Sequence, residues 1–359
     1  MLEPEELAAW LRLAEAPGIG REAARQLLVR HGSAEAAVAR VGATKAPDEA
    51  FDRLLAATRA WLDAAEADAP RHIFALGDPA YPQAWLEAPD PPLLVYAIGR
   101  VELLHAPTIA IVGSRNPTPQ GEENARQFAA AMSRAGLTIV SGLALGIDGK
   151  AHAGGLEGPG STIAIVGTGL DRVYPKRHLT LAHRIAREGL IVSDFPVGMP
   201  ALAQNFPQRN RLIAGLARGT LVVEAALASG SLITARLAVE AGREVFALPG
   251  SIHSPQSRGC HALIKQGAKL VERAEDILDE LRWVAQPKLA PQAAPAPVPE
   301  AMDDDPLLAA LGHEAATLDQ LCLRTGIEPA TLSAKLLDLE LAGRVARLPG
   351  QSYQRVVRA

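Results

Sequence analysis

Aromatic side chains make up only 4% of the 359 residues, and there are just two cysteines. Cys260 and Cys322 lie far apart and lack the paired spacing of a zinc site, so both read as buried, inert thiols and no metal is expected. No apolar run reaches the roughly 20 residues that span a bilayer. The chain opens Met1-Leu-Glu-Pro-Glu-Glu, acidic where a signal peptide is basic. These absences exclude a membrane protein and point to the cytoplasm. An overall excess of basic charge is missing too, since the net charge is −4.

What is present is unevenly spread. Residues 1–106 carry 10 Lys and Arg against 16 Asp and Glu, residues 107–282 carry 19 against 15, and residues 283–359 carry 7 against 9. If any segment meets a polyanion, the middle one is favoured. Hydrophobic residues form 48% of the chain, enough to bury a large core in two or three domains.

Residues 1–70 read as a small helical domain, with Leu7, Trp10, Leu11 and Ala14 at helical spacing. Between its first helices, Pro17-Gly18-Ile19-Gly20 is either a helix-hairpin-helix turn, whose amides can contact a phosphate, or an ordinary tight turn. The domain's acidity favours the ordinary turn. Residues 71–106, rich in proline, read as a connector lying against the next domain. From 107 onward, short β-branched runs alternate with helix-length stretches: Thr108–Val112, Leu137–Val140, Thr162–Val166, Leu190–Val192, Thr220–Val223 and Glu244–Leu248. Runs apolar on both faces, separated by helices, predict an α/β core over 107–284, with a parallel sheet covered on both sides. Residues 285–302, with five prolines between Pro287 and Pro299, predict a semi-rigid tether. Residues 303–359 read as three helices and a hairpin, a winged helix.

Ligands of an open parallel sheet sit beyond the carboxyl ends of its strands. The segments following the strands are Gly113-Ser114-Arg115, then Gly142 to Gly146, then Gly167-Thr168-Gly169 leading to Lys176, then Phe206 to Arg211, and finally Ser229-Gly230-Ser231. Glycines and hydroxyls there expose amides to an anion, and Arg115, Lys176, Arg209 and Arg211 are expected to converge on the same edge. Neither a dinucleotide fingerprint nor a Walker motif is present: Gly113 is followed by Ser-Arg-Asn-Pro-Thr, and Gly149-Lys150 is followed by Ala151. Asp148, His152, Asp171, His178 and Glu224 are titratable, but no nucleophile–base pair is visible among them, so structural or DNA-positioning roles are expected.

The ordered series Val112-Gly-Ser-Arg115, Ser141-Gly-Leu-Ala-Leu-Gly-Ile-Asp148, Gly167-Thr-Gly-Leu-Asp171, Phe206-Pro-Gln-Arg-Asn-Arg211, Ser229-Gly-Ser-Leu-Ile-Thr-Ala235 and Phe246-Ala-Leu-Pro-Gly250 resembles the DprA (Smf) family. One departure is Asp194, where the family usually has glutamate. The resemblance implies an extended Rossmann-like sheet, an N-terminal SAM-like helical domain and a C-terminal winged helix. It also implies a non-enzymatic protein, without cofactor, that binds single-stranded DNA, forms a homodimer and loads RecA in natural transformation. On that likeness the DNA-binding set is Gly113, Ser114, Arg115, Gly142, Gly146, Gly167, Gly169, Lys176, Phe206, Arg209, Asn210 and Arg211, and the dimer surface lies around His261, Leu263 and Ile264. The acidic recognition helix of the tail suits duplex DNA or a protein partner. The rival from another class is a phosphoribohydrolase of the cytokinin-activating type, whose Pro-Gly-Gly-x-Gly-Thr-x-x-Glu stretch this chain lacks.

Overall fold

The computed structural model describes residues 2–41, 49–88, 90–283, 305–312, 315–348 and 350–357, so the tether predicted over 285–302 lies outside the described residues. Its centre is a nine-stranded sheet: β1 (Arg71–Ala75), β2 (Leu94–Gly99), β3 (Thr108–Val112), β4 (Thr138–Ser141), β5 (Thr162–Ile165), β6 (Leu190–Ser193), β7 (Gly219–Val222), β8 (Glu244–Ala247) and β9 (Lys269–Leu270). Their order is β1-β2-β6-β5-β4-β3-β7-β8-β9. From β6 to β9 neighbouring strands run parallel, whereas β2 joins β6, and β1 joins β2, antiparallel. Each of the six apolar runs expected after residue 107 is a strand, to within a residue or two at its ends.

Alternation along the strands explains the two covered faces. Ile109 and Ile111 of β3 point into a core with Phe128, Met132, Ile139 and Phe246. Ala110 and Val112, one residue out of step, join Val140, Ile163, Ile165, Leu212 and Ile213 on the other side. Both faces are buried, so the strands read as continuous apolar runs rather than alternating ones.

The segment 71–106 is more than a connector. It supplies β1 and β2, and these two strands are shared property. Ile73, Leu94 and Tyr96 pack with Leu7, Trp10, Leu11, Phe51 and Trp61 of the helical domain, while Phe74, Val95 and Ala97 face the main core. The strands were not recognised because the prolines between them, Pro82, Pro91 and Pro92, read as breakers. These prolines sit in the loop that joins the two strands. Trp85, on the short helix Gln83–Leu86 in that loop, is fully buried and donates its indole N–H to the Leu212 carbonyl at 3.0 Å.

The tail folds as its sequence implies. Helices Pro306–Leu311, Leu318–Thr325 and Pro329–Leu341 precede a small sheet, β10 (Ala316–Thr317), β11 (Val345–Leu348) and β12 (Ser352–Arg355). Thr317 and Gln320 form a reciprocal capping box, and Gly326 ends that helix at φ +68°. This winged helix touches the core through its last described residue: the Val357 amide donates to Gln120 Oε1 at 2.9 Å, and Gln127 donates to the Val357 carbonyl at 3.3 Å.

Trp85 fastens the loop between β1 and β2 to the helix Asn205–Leu216. Trp85→Ala is expected to lower unfolding free energy by about 3–5 kcal/mol through loss of buried contacts, measured by denaturant unfolding. A loss under about 1 kcal/mol would show that the loop folds independently of that helix.

Candidate nucleic-acid interface

The sheet's order reverses at β3, since the chain proceeds from β3 to β6 in one direction and then returns to place β7 on the other side. Such a switch point opens a crevice beyond the strand ends. A cavity of about 540 Å³ occupies it, lined by Gly113 to Asn116 after β3, by Ala144 and Asp148 after β4, by Phe206, Arg209 and Asn210, and by Ser229 to Ser231 and Thr234 after β7.

Arg115 is exposed, and its guanidinium carbon lies 5.6 Å from the centroid of the Phe206 ring. Phe206 in turn lies 5.5 Å from Tyr174, which is 51% exposed. Two residues beyond Tyr174, Lys176 stands exposed in a single 3-10 turn, Lys176–His178. Among the described residues neither Arg115 nor Lys176 has an ion-pair partner. Arg115, Phe206 and Tyr174 thus form a contiguous cation–ring–ring run, with Lys176 two residues further along the chain.

Two arginines of the expected set have other work. Arg209 is 3% exposed. Its guanidinium donates to the carbonyls of Gly142 (2.7 Å) and Ile165, and to Asn210 Oδ1 (3.0 Å). It braces the ends of β4 and β5 from beneath and does not reach out to a ligand. Burial brings its pKa down to about 10, opposed by the Asp148 charge, so it stays a cation at neutral pH. Arg211, two residues on, is turned about 200° around the helix. It faces away from the cleft, toward the helical domain, where it pairs with Asp194 (2.5 Å) and Asp90 (3.3 Å). Arg21 joins Asp194 from the helical domain at 3.0 Å. Arg211 therefore leaves the DNA-contact set.

The glycines divide similarly. Gly142, with Ala144, gives its amide to the buried Asp148 carboxylate at 3.1 and 3.2 Å, and a side chain at Gly142 would run into the Arg209 guanidinium. Gly146 sits at φ +77° against the Ser114 carbonyl, where a Cβ would come within 2.5 Å, so glycine is required there for packing. Gly167 and Gly169 are buried in the turn after β5; the Gly167 carbonyl accepts from Asn205, and the Gly169 amide donates to Met199. At Gly142 and Gly146 a side chain would collide with the protein itself, and the amides of Gly142 and Gly169 already have partners within it. Gly113 and Ser114 line the cavity, with the Ser114 amide held by the Glu224 carbonyl at 2.7 Å. Ser229 and Ser231 lie in the strand-end segment expected to face an anion, although the resemblance did not place them in the DNA-binding set; sequence reasoning missed Thr234. The signal was present in Ser229-Gly230-Ser231, but only the return of β7 beside β3 puts it next to Arg115.

The titratable groups are committed structurally. His152 is fully buried, accepts from the Leu143 amide at 3.2 Å, and shares a 2.7 Å hydrogen bond with Thr162. Burial, with the nearby His178 and Arg209 charges, pushes its pKa down to about 3. Burial raises the Asp148 carboxyl, partly offset by Arg209 and the two amides. Asp148 is the second residue of the helix Ile147–Gly155, yet it caps the preceding loop rather than that helix. Glu224 accepts from the Thr118 amide and hydroxyl at 2.9 and 2.6 Å. Among the described residues no three His, Cys, Asp or Glu side chains are grouped to hold a metal ion, and no helix is long and apolar enough to cross a membrane. His261, Leu263 and Ile264 lie on the helix Arg258–Lys265, partly buried, with the two aliphatic residues packed against the core.

Comparison with known proteins identifies the family. Residues 72–282 match the model of DNA recombination-mediator protein A, residues 291–351 the DprA winged helix domain, and residues 4–57 the DprA-like N-terminal HHH domain. The chain is 44% identical to Protein Smf of Escherichia coli over 80% of its length and 78% of that protein. To the DNA processing protein DprA of Streptococcus pneumoniae it is 45% identical, over 58% of this chain and 74% of the other. The X-ray structure of the pneumococcal protein matches with a TM-score of 0.65 at 34% identity, covering 78% of this chain and 98% of that one. DNA processing protein A from Helicobacter pylori, solved for its unique single-stranded DNA binding mode, matches with a TM-score of 0.54 at 30% identity, covering 59% and 95%. The fold is that of a DNA-processing protein with a helical domain before a Rossmann-like core and a winged helix after it. The chain belongs to the DprA family, that of DNA recombination-mediator protein A. Its N-terminal helices match an HHH domain, in line with the helical domain expected there, and this favours the helix-hairpin-helix reading of the turn Pro17–Gly20 over that of an ordinary turn.

Two outcomes follow from the site. Arg209→Ala leaves buried carbonyls and Asp148 without their cation, and is expected to cost about 3–5 kcal/mol of stability in denaturant unfolding; a fully stable variant would return Arg209 to the ligand. For His152, the native pKa lies below the unfolded value near 6.5, so its contribution to stability is present above about 6.5 and is lost as pH falls toward about 3. The wild type should lose up to about 1.4 kcal/mol more per pH unit across that window than His152→Gln. Parallel stability–pH curves would refute the assignment.

Proposed function

We propose that the protein binds single-stranded DNA without sequence preference along the rim from Arg115 to Lys176, protects it, and hands it to RecA. The observation that carries this reading is the exposed Arg115 guanidinium over the Phe206 ring at the switch-point cleft, with Tyr174 beside Phe206 and the exposed Lys176 two residues further along the chain: cations for phosphates, and two rings for bases. Affinity of this kind needs phosphate neutralisation and stacking, not base-edge readout. That the H. pylori relative, of the same fold, was solved for its single-stranded DNA binding mode supports it.

In this reading the protein is cytoplasmic and not an enzyme, because Asp148, His152 and Glu224 are each held in structural hydrogen bonds. Homodimers form through the Arg258–Lys265 helix, where Leu263 and the neighbouring Leu232 and Val239 line a shallow cavity. The winged helix is an accessory contact for duplex DNA or a protein.

Fluorescence anisotropy with a labelled oligo-dT across a salt series tests the central point. Arg115→Ala and Lys176→Ala should each weaken binding and reduce the slope of log K against log salt by about one contact. An unchanged slope in both variants sinks the proposal, as would release of adenine from AMP by the wild-type protein.

A further inference from the structure

The cleft has a second wall, formed by the segment after β7, that carries hydroxyls and no charge. Thr234 lines the cavity and is 2% exposed, yet its hydroxyl has no hydrogen-bond partner among the described residues. It differs from Thr138 and Thr220, whose unpaired hydroxyls are sealed inside the sheet. Beside it, the Ser229 and Ser231 hydroxyls lie 2.7 Å apart, so one proton joins them and one O–H remains to donate elsewhere. Unlike those sealed hydroxyls, the Thr234 hydroxyl is open to the cavity, where a ligand acceptor can take the place of water.

This wall is stitched to the one that bears Arg115. Val112 and Val222 are register partners at the ends of β3 and β7. The Ser114 amide donates to the Glu224 carbonyl at 2.7 Å, and Gln256, whose own carbonyl holds the Ala225 amide at 2.7 Å, donates to the Asn116 carbonyl at 3.0 Å. Adjacent strands of a sheet lie about 4.8 Å apart, so the two walls are neighbours on the scale of one nucleotide. Among the described residues, the one carboxylate lining the cavity, Asp148, is occupied by the Gly142 and Ala144 amides.

We propose that the hydroxyls of Ser229, Ser231 and Thr234 form a second, uncharged phosphate seat, adjacent to the one at Arg115, so that the strand crosses the sheet edge from β3 to β7. The inference rests on the single-strand reading above and names residues and a path that reading does not contain. Serine and threonine hydroxyls serve backbone phosphates well, because each supplies a charge-assisted hydrogen bond without sequence information. The seat adds affinity without adding to the salt dependence.

The test is anisotropy of labelled oligo-dT with the full-length protein. Thr234→Val, which exchanges the hydroxyl for a methyl group of similar size, should weaken binding about tenfold, and Thr234→Ser should restore it. The salt slope should stay that of the wild type, because no counterion is released by a neutral contact. Ser229→Ala, at a half-buried loop position, reads the same seat if Thr234→Val fails to fold. Wild-type affinity in a folded Thr234→Val, or in Ser229→Ala, overturns the second seat, as does a fall in slope. If Arg115→Ala still weakens binding in that case, the single-strand reading survives and only the second seat is lost; if Arg115→Ala is also silent, the reading itself has failed.

Discussion

A single buried cation organises the cleft. Arg209 lies beneath the turns that follow β4 and β5 and spends its donors on their backbone carbonyls. Those turns could otherwise close over a hollow of unpaired carbonyls, which is costly inside a protein. Asp148 answers the charge and at the same time collects the amides of the β4 loop. The result is a rigid floor on which Arg115, Phe206 and the β7 hydroxyls are displayed. The chemistry that faces the ligand depends on chemistry that never touches it.

The helical domain is fastened by a second ionic cluster with the same economy. Asp194 at the end of β6 receives Arg211 from the core and Arg21 from the helix after the Pro17–Gly20 turn, with Asp90 alongside. Two arginines against two carboxylates leave the cluster neutral. Two neighbours on one helix, Arg209 and Arg211, thus serve opposite faces.

The parallel core was legible because doubly buried strands must be apolar throughout and are spaced by helices of fixed length. The winged helix was legible from its caps and turns: Thr317, Gln320 and Gly326 do in space what their identities imply. The cleft was only half legible. Local sequence places an arginine or glycine in a strand-end segment, but not the direction in which it points, and direction separated Arg115 from Arg209 and Arg211. Glycines that looked like openings for a phosphate proved to be close approaches between pieces of the protein itself. The hydroxyls after β7 are more than 110 residues from Arg115 in the chain, and only strand order brings them together. The antiparallel pair β1 and β2 escaped notice for a different reason: prolines in the loop between them resemble the composition of a connector.

That pair has a consequence for where the chain can be divided. β2 covers the flank of β6, and β1 and β2 present one face to the helical domain and the other to the main core. A fragment beginning at residue 107 would bare the hydrogen-bonding groups along β6 and lose the aromatic plug that Trp85 sets against Leu212. Naked borders of this sort recruit foreign strands and aggregate. A division that leaves every strand of the sheet paired therefore falls close to residue 70, where pairing begins, and the helices before it cover the outer face of the wall that the core already needed.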